Sequence, residues 1–181
     1  MLQLDAIRTE YRRYCRLCEL ALEQIHDADL HRRPDPQGNS IAVVIQHLSG
    51  NLRSRFTDFL TSDGEKPWRQ RDREFEAAAV SRAELLTAWQ QAWAIVDTAL
   101  DDVAAAGPDV LSRTVAIRQQ PLTVLEALLR SVAHVAYHTG QVVLLARGFA
   151  GDRWRSLSIA RGGSAEYAAK PTREKGPDGG G

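Results

Sequence analysis

Apolar residues return every third or fourth position over four stretches of the chain, a period that predicts four amphipathic helices. The first spans about Leu2 to Asp27, with Leu4, Ile7, Tyr11, Tyr14, Cys18, Ala21 and Ile25 on its stripe. Pro34 and Pro36 break the chain after it, and Gly38-Asn39-Ser40 supplies a turn and a helix N-cap. The second helix runs from about Ile41 to Leu60 and stops near Asp63-Gly64. The third starts at Ser81, where Glu84 completes a capping box, and Leu85, Ala88, Trp89, Ala92, Ile95, Val96 and Ala99 line its stripe. Gly107-Pro108 ends it. The fourth opens with Pro121 at N1, runs to about Arg147 and is closed by Gly148.

Two stretches between helices break the period. Glu65 to Glu76 mixes charges of both signs around Pro67 and reads as a connection. Thr114 to Arg118 alternates in a way that suits an extended segment. The tail from Gly151 keeps Trp154, Leu157 and Ile159, enough for part of it to pack on the body. After Tyr167 the composition builds no core, so residues 169–181 are expected to be a disordered tail behind a single domain of residues 1–168. Four helices of about 20 to 26 residues, roughly 30 to 39 Å each, make an all-α four-helix bundle. Long connections on both sides of the third helix favour crossovers over an up-down-up-down chain.

Charge and composition exclude several classes. The 181 residues carry 23 Lys plus Arg against 23 Asp plus Glu, so nothing electrostatic argues for a nucleic-acid partner or an anionic membrane. The longest purely apolar runs are about five residues, far short of a spanning helix. The N-terminus has no apolar segment typical of a signal peptide. Only 2 cysteines are present, which fits a reducing cytoplasm and no disulfide scaffold.

The candidate chemistry lies in the histidines. His134 and His138 stand four apart in the fourth helix, so both project from one face. That spacing lets two imidazoles reach one ion. Ala127, Ser131 and Gln141 share the face, and so polar a stripe in a helix of Leu, Val and Ala needs partners if it is buried. His47 sits inside the apolar second helix, IAVVIQHLSGN. Two facing helices would thus supply three neutral ligands, the pattern of a catalytic divalent site with an open position. His26 and His31 lie at a helix end and in a loop and are read as non-ligands, His26 as a partner of the helix C-terminus. Gly50 and Gly140 follow the histidines, either for close helix packing or to leave room for a ligand.

Cys15 and Cys18 form a CxxC inside a helix, without the strand and turn of a redox motif, and read as packing. Arg130, one turn before His134, and Arg161 in the tail could match a substrate charge, although a solvated surface is the plainer account of each.

One histidine in the second helix, a long connection and HxxxH-x-GQ in the fourth resemble the DinB/YfiT-like superfamily of metal-binding four-helix bundles. The stretches NSIAVVIQHLSGNLRSRFTDFL, HVAYHTGQ and WRSLSIARGGSAEY are similar to an uncharacterised bacterial subgroup of it, and Ala160 and Ala168 depart from that subgroup. The resemblance covers about residues 1–168. It implies a bundle with crossed connectivity, a homodimer, and a zinc or nickel ion on His47, His134 and His138. It also implies S-transfer from a low-molecular-weight thiol to an electrophile, or metal-dependent hydrolysis. Hydrolysis needs a base to take a proton from water, and Glu126, the one acid of the fourth helix, is off the histidine stripe. The reading is therefore a thiol S-transferase with Gln141, Ser131 and Arg130 around the centre. The alternatives are a hydrolase or a non-catalytic metal-binding dimer.

Overall fold

The computed structural model describes residues 2–76 and 80–171. Four long helices form the body: α1 (Leu2–Leu22), α3 (Ile41–Phe56), α4 (Arg82–Ala105) and α5 (Val124–Ala150). A single turn, α2 (Asp27–Leu30), follows α1, and a short α6 (Ser164–Ala169) lies in the tail. A two-stranded antiparallel ribbon, β1 (Thr114–Ile117) and β2 (Gln120–Thr123), precedes α5. The fold is all-α apart from this ribbon.

The helices pack in the cyclic order α1, α5, α3, α4, and the apolar stripes meet in one core. Tyr11 bonds the carbonyl of Leu128 and Cys18 the hydroxyl of Thr139, so α1 and α5 run the same way. Arg8 meets Asp101 whereas Arg82 meets the carbonyls of Leu22 and Ile25, so α4 runs against α1. His47 meets His134, and the end of α3 lies by the start of α5 at Ala127, so these two are antiparallel. By elimination α3 and α4 are parallel, and the chain between them must cross from one end of the bundle to the other. The connection after α4 joins antiparallel helices and is not a crossover.

Several boundaries differ from the sequence reading. α1 ends at Leu22, and the following residues turn before Asp27 starts α2. His26 is the N-cap of that turn, its amide donating to Asp29 at 3.2 Å, and not a partner of the α1 C-terminus. α3 ends at Phe56 rather than Leu60, because Thr57 caps it in extended geometry and Asp58 takes φ 49°, a left-handed stop. Pro121 is not the first residue of a helix. Arg118 and Gln119, both at positive φ, make a two-residue turn that places Pro121 opposite Ala116 in the ribbon. There, next to the pair that closes the turn, the position has no ladder bond to lose, so proline is tolerated. α5 begins instead behind Thr123, whose hydroxyl accepts from the Glu126 amide while the Glu126 carboxylate accepts from the Thr123 amide. It passes through Gly148 and ends at Ala150, capped by Gly151 at φ 56°.

Trp89 is fully buried and Trp93 nearly so, so both are core residues. Trp154 and Leu157 pack on the core, whereas Ile159 is exposed. Of the tail expected beyond residue 168, Ala169 closes α6 and residues 172–181 lie outside the described residues. Among the described residues no helix is long and apolar enough to cross a membrane.

Candidate metal centre

α3 and α5 bring His47, His134 and His138 together with one ligand nitrogen each inside 4.8 Å of the others. His47 Nε2 and His134 Nε2 are 3.3 Å apart. Tetrahedral ligation at 2.0 to 2.1 Å per nitrogen separates ligand nitrogens by about 3.3 to 3.4 Å. The pair therefore already stands at the spacing a single ion requires.

Two of the three rings are held from behind. His47 Nδ1 lies 2.8 Å from Glu74 Oε2, buried. His138 Nδ1 lies 2.7 Å from the amide oxygen of Gln141. An imidazole that donates through Nδ1 presents the Nε2 lone pair forward, which is how oxygen acceptors behind histidines prepare them for metals. Phe75 covers His47, with ring centroids 4.6 Å apart. His134 Nδ1 is buried without a hydrogen-bond partner among the described residues.

Electrostatics favour the neutral rings of His134 and His138. Burial, reinforced by the neighbouring His138 and His47, pushes His134 down to about 4. Burial also lowers His138, partly opposed by its bond to Gln141. For Glu74, burial works toward the neutral acid, but the bonds from His47 and Arg69 outweigh it and hold the carboxyl below its ordinary range. A neutral imidazole offers a cation its lone pair, and an oxygen acceptor behind the ring strengthens it as a ligand.

Glu74 and its clamp Arg69 were not legible as site residues, because they lie in the mixed-charge connection. Arg69 donates through Nε and Nη2 to the two Glu74 oxygens at 2.8 and 2.9 Å. Gln46 straps the same segment by donating to the carbonyls of Arg73 and Glu74. One signal did exist in the sequence. Gly50 is one turn after His47, and a Cβ there would stand 2.3 Å from Glu74 Oε1. That glycine makes room for a carboxylate rather than for a helix or a ligand. Gly140 has nothing within 4 Å of a Cβ, so neither close packing nor crowding accounts for it within one chain.

Beside the histidines a cavity of about 180 Å³ opens between α3, α5 and the ribbon. His47 and His134 form its floor, Phe56, Phe59 and Ile117 give it apolar walls, and Ser131 and Arg130 line it too. None of its lining residues is acidic. Glu126 is exposed and occupied with Thr123. Arg161 is exposed in the tail and does not line the cavity. Cys15 and Cys18 lie in α1 away from the cavity, and burial pushes both thiols up, Cys18 to about 12, so neither supplies a thiolate. His31 meets the Val80 carbonyl and His26 caps its turn, both apart from the centre.

No curated protein matches the chain. The family model described as Protein of unknown function (DUF1572) matches residues 2–163, and the chain belongs to that family.

Proposed function

We propose that the chain is a metal-dependent enzyme of DinB/YfiT-like type that transfers a low-molecular-weight thiol to an electrophile. The observation that carries this reading is three grouped imidazoles, two of them oriented from behind, beside a cavity that His47 and His134 line and whose lining residues include no carboxylate. His47, His134 and His138 would hold zinc or nickel, whose nitrogen-rich ligation suits either ion. Bound there, a divalent ion favours the anionic over the neutral form of a thiol that otherwise ionises near pH 8.5.

The protein's own residues do the rest. Glu74 and Gln141 fix the tautomer and aim of two imidazoles. Phe75 shields His47 from water. The apolar wall of Phe56, Phe59 and Ile117 receives the body of the electrophile and excludes solvent from it. The sulfur lone pair forms the new carbon–sulfur bond while the electrophile's leaving group departs with its electrons. Such a step needs no protein base on the cavity side, whereas water attack does, and the wall provides no carboxylate for it.

The test has two parts. Elemental analysis of purified protein should find about one zinc or nickel per chain, lost in His47→Ala, His134→Ala and His138→Ala but kept in His26→Ala and His31→Ala. Metal-loaded protein should then consume bacillithiol, mycothiol or glutathione in the presence of a generic electrophile, and His47→Ala should not. Ester or amide hydrolysis without thiol turnover would replace this reading with a hydrolase.

A further inference from the structure

The cavity is also a concentration of positive charge that the histidines do not use. Arg55, Arg69, Arg71, Arg118 and Arg130 all line it. Their partners are unevenly shared. Arg69 is committed to Glu74. Arg71 stands over the Phe75 ring and beside the exposed Asp72. Arg55 and Arg118 divide one carboxylate, Glu65, at 3.3 and 3.1 Å, and Arg69 also reaches it at 3.7 Å. Asp63, the remaining acid close by, is bound to the backbone amides of Glu65, Arg118 and Gln119. Arg130 has no ion-pair partner among the described residues. Arg55 Nη1 is buried and finds no acceptor among them.

A guanidinium nitrogen taken out of water without an acceptor is costly, and a second cation facing the same space adds to the cost. The two sit on facing helices, Arg55 late in α3 and Arg130 early in α5. Burial and the nearby Arg69, Arg118 and Arg130 disfavour the charged form of Arg55, only partly offset by Glu65. An oxyanion between Arg55 and Arg130 would satisfy the orphaned donor and relieve the repulsion together, because the planar fork of arginine matches a carboxylate or phosphate.

We propose that this cavity binds a small molecule bearing a carboxylate or phosphate, with the oxyanion held by Arg55 and Arg130 and the apolar part against Phe56, Phe59 and Ile117, next to the three histidines. The geometry gives the centre a substrate class, a short amphiphilic acid. It rests on the reading above only for that molecule's being a reactant, since the oxyanion contacts do not involve the metal.

Calorimetric titration of the full chain after EDTA treatment tests it, with inorganic phosphate, succinate and neutral succinamide as probes. Phosphate or succinate should saturate one site per chain, and whichever binds more tightly identifies the head group. Succinamide should not bind. Arg130→Gln should weaken the anion by about tenfold or more, and Arg55→Gln likewise. Arg12→Gln, an exposed charge on α1 outside the cavity, should leave it unchanged. Arg55 also pairs with Glu65, so if Arg55→Gln does not fold, the exposed Arg130 decides alone. Absence of saturable binding by both anions, equal binding of succinamide, or equal weakening by Arg12→Gln would overturn the proposal. Since the titration is done without metal, anion binding that survives alongside failed thiol turnover removes only the S-transferase reading. Thiol turnover in a protein that binds neither anion removes only this one.

Discussion

A carboxylate behind an imidazole settles which nitrogen carries the proton and makes the other a better donor to a cation. Glu74 does this for His47 and is itself fixed by Arg69. Glu74→Gln keeps the shape but loses the charge, and metal affinity should fall about 10- to 100-fold, measured by competition with a chromophoric chelator. Gly50→Ala attacks the same contact from the other side. Its Cβ would collide with a carboxylate that two partners hold in place, so Glu74 must leave His47 or the segment must shift. We expect a loss of about 1 to 3 kcal/mol in urea unfolding together with lower metal content. Gly140→Ala has open space around it within one chain and should instead gain about 0.5 to 1 kcal/mol in monomeric protein, the ordinary helix preference for alanine. A similar result for both glycines would remove the steric account of Gly50.

Where the helices begin is decided by short-range side-chain bonds. Ser81 with Glu84 and Thr123 with Glu126 each satisfy amides that the first turn leaves unpaired. The same bonds hold both glutamates below their usual range, those from Ser81 for Glu84 and those from Thr123 for Glu126. Thr123→Ala should cost about 1 kcal/mol in chemical unfolding. It should leave metal content intact, because His134 and His138 lie three turns further on. The crossover after α3 carries more than a connection. Its 3-10 turn at Arg71–Phe75 delivers Glu74 and Phe75 to His47, and Gln46 of α3 holds that turn by two carbonyls. Gln46→Ala should therefore loosen the metal centre while leaving the apolar core whole, visible as faster amide exchange over residues 71–75.

Protonation of the assembled centre couples to the stability of the whole chain. His134 binds its proton near pH 4 in the fold but near 6.5 unfolded. Between those values the unfolded chain takes up a proton that the native one does not, so metal-free protein must lose stability as pH falls from 6.5 toward 4. His138 is lowered too and acts in the same direction, and Glu74, held below its usual range, adds to the loss at the acid end. Thermal melts across this range should show the decline, and His134→Gln should flatten it. Assembly is the other property of the whole molecule. With Trp89 and Trp93 buried in the core, the outer face of α5 is the better candidate for a homodimer. Leu129, Tyr137 and Leu144 lie 51%, 65% and 71% exposed there, with Ala133 and Gly140 between them and Gly148 one turn beyond. Such small residues would let a second copy approach closely. Leu144→Glu should convert a dimer in light scattering to a monomer without loss of metal.

The apolar period and the caps are local properties, which is why the helical stripes, the N-caps Ser40 and Ser81 and the shared face of His134 and His138 could be read directly from the chain. They depend on side chains three or four residues apart, and that spacing is written in one dimension. The start of α5 was misread because two local signals competed: a proline that suits a first helical turn, and a threonine–glutamate pair that caps better once a turn at Arg118-Gln119 draws the proline into a ribbon. Glu74, Arg69 and Arg55 carry no such mark. Their roles arise from contacts spanning the crossover and two helices, and a mixed-charge loop looks the same whether its acids face water or an imidazole. What made Glu74 a partner of His47 is burial: within the packed bundle a carboxylate must find donors, and His47 and Arg69 are the ones in reach.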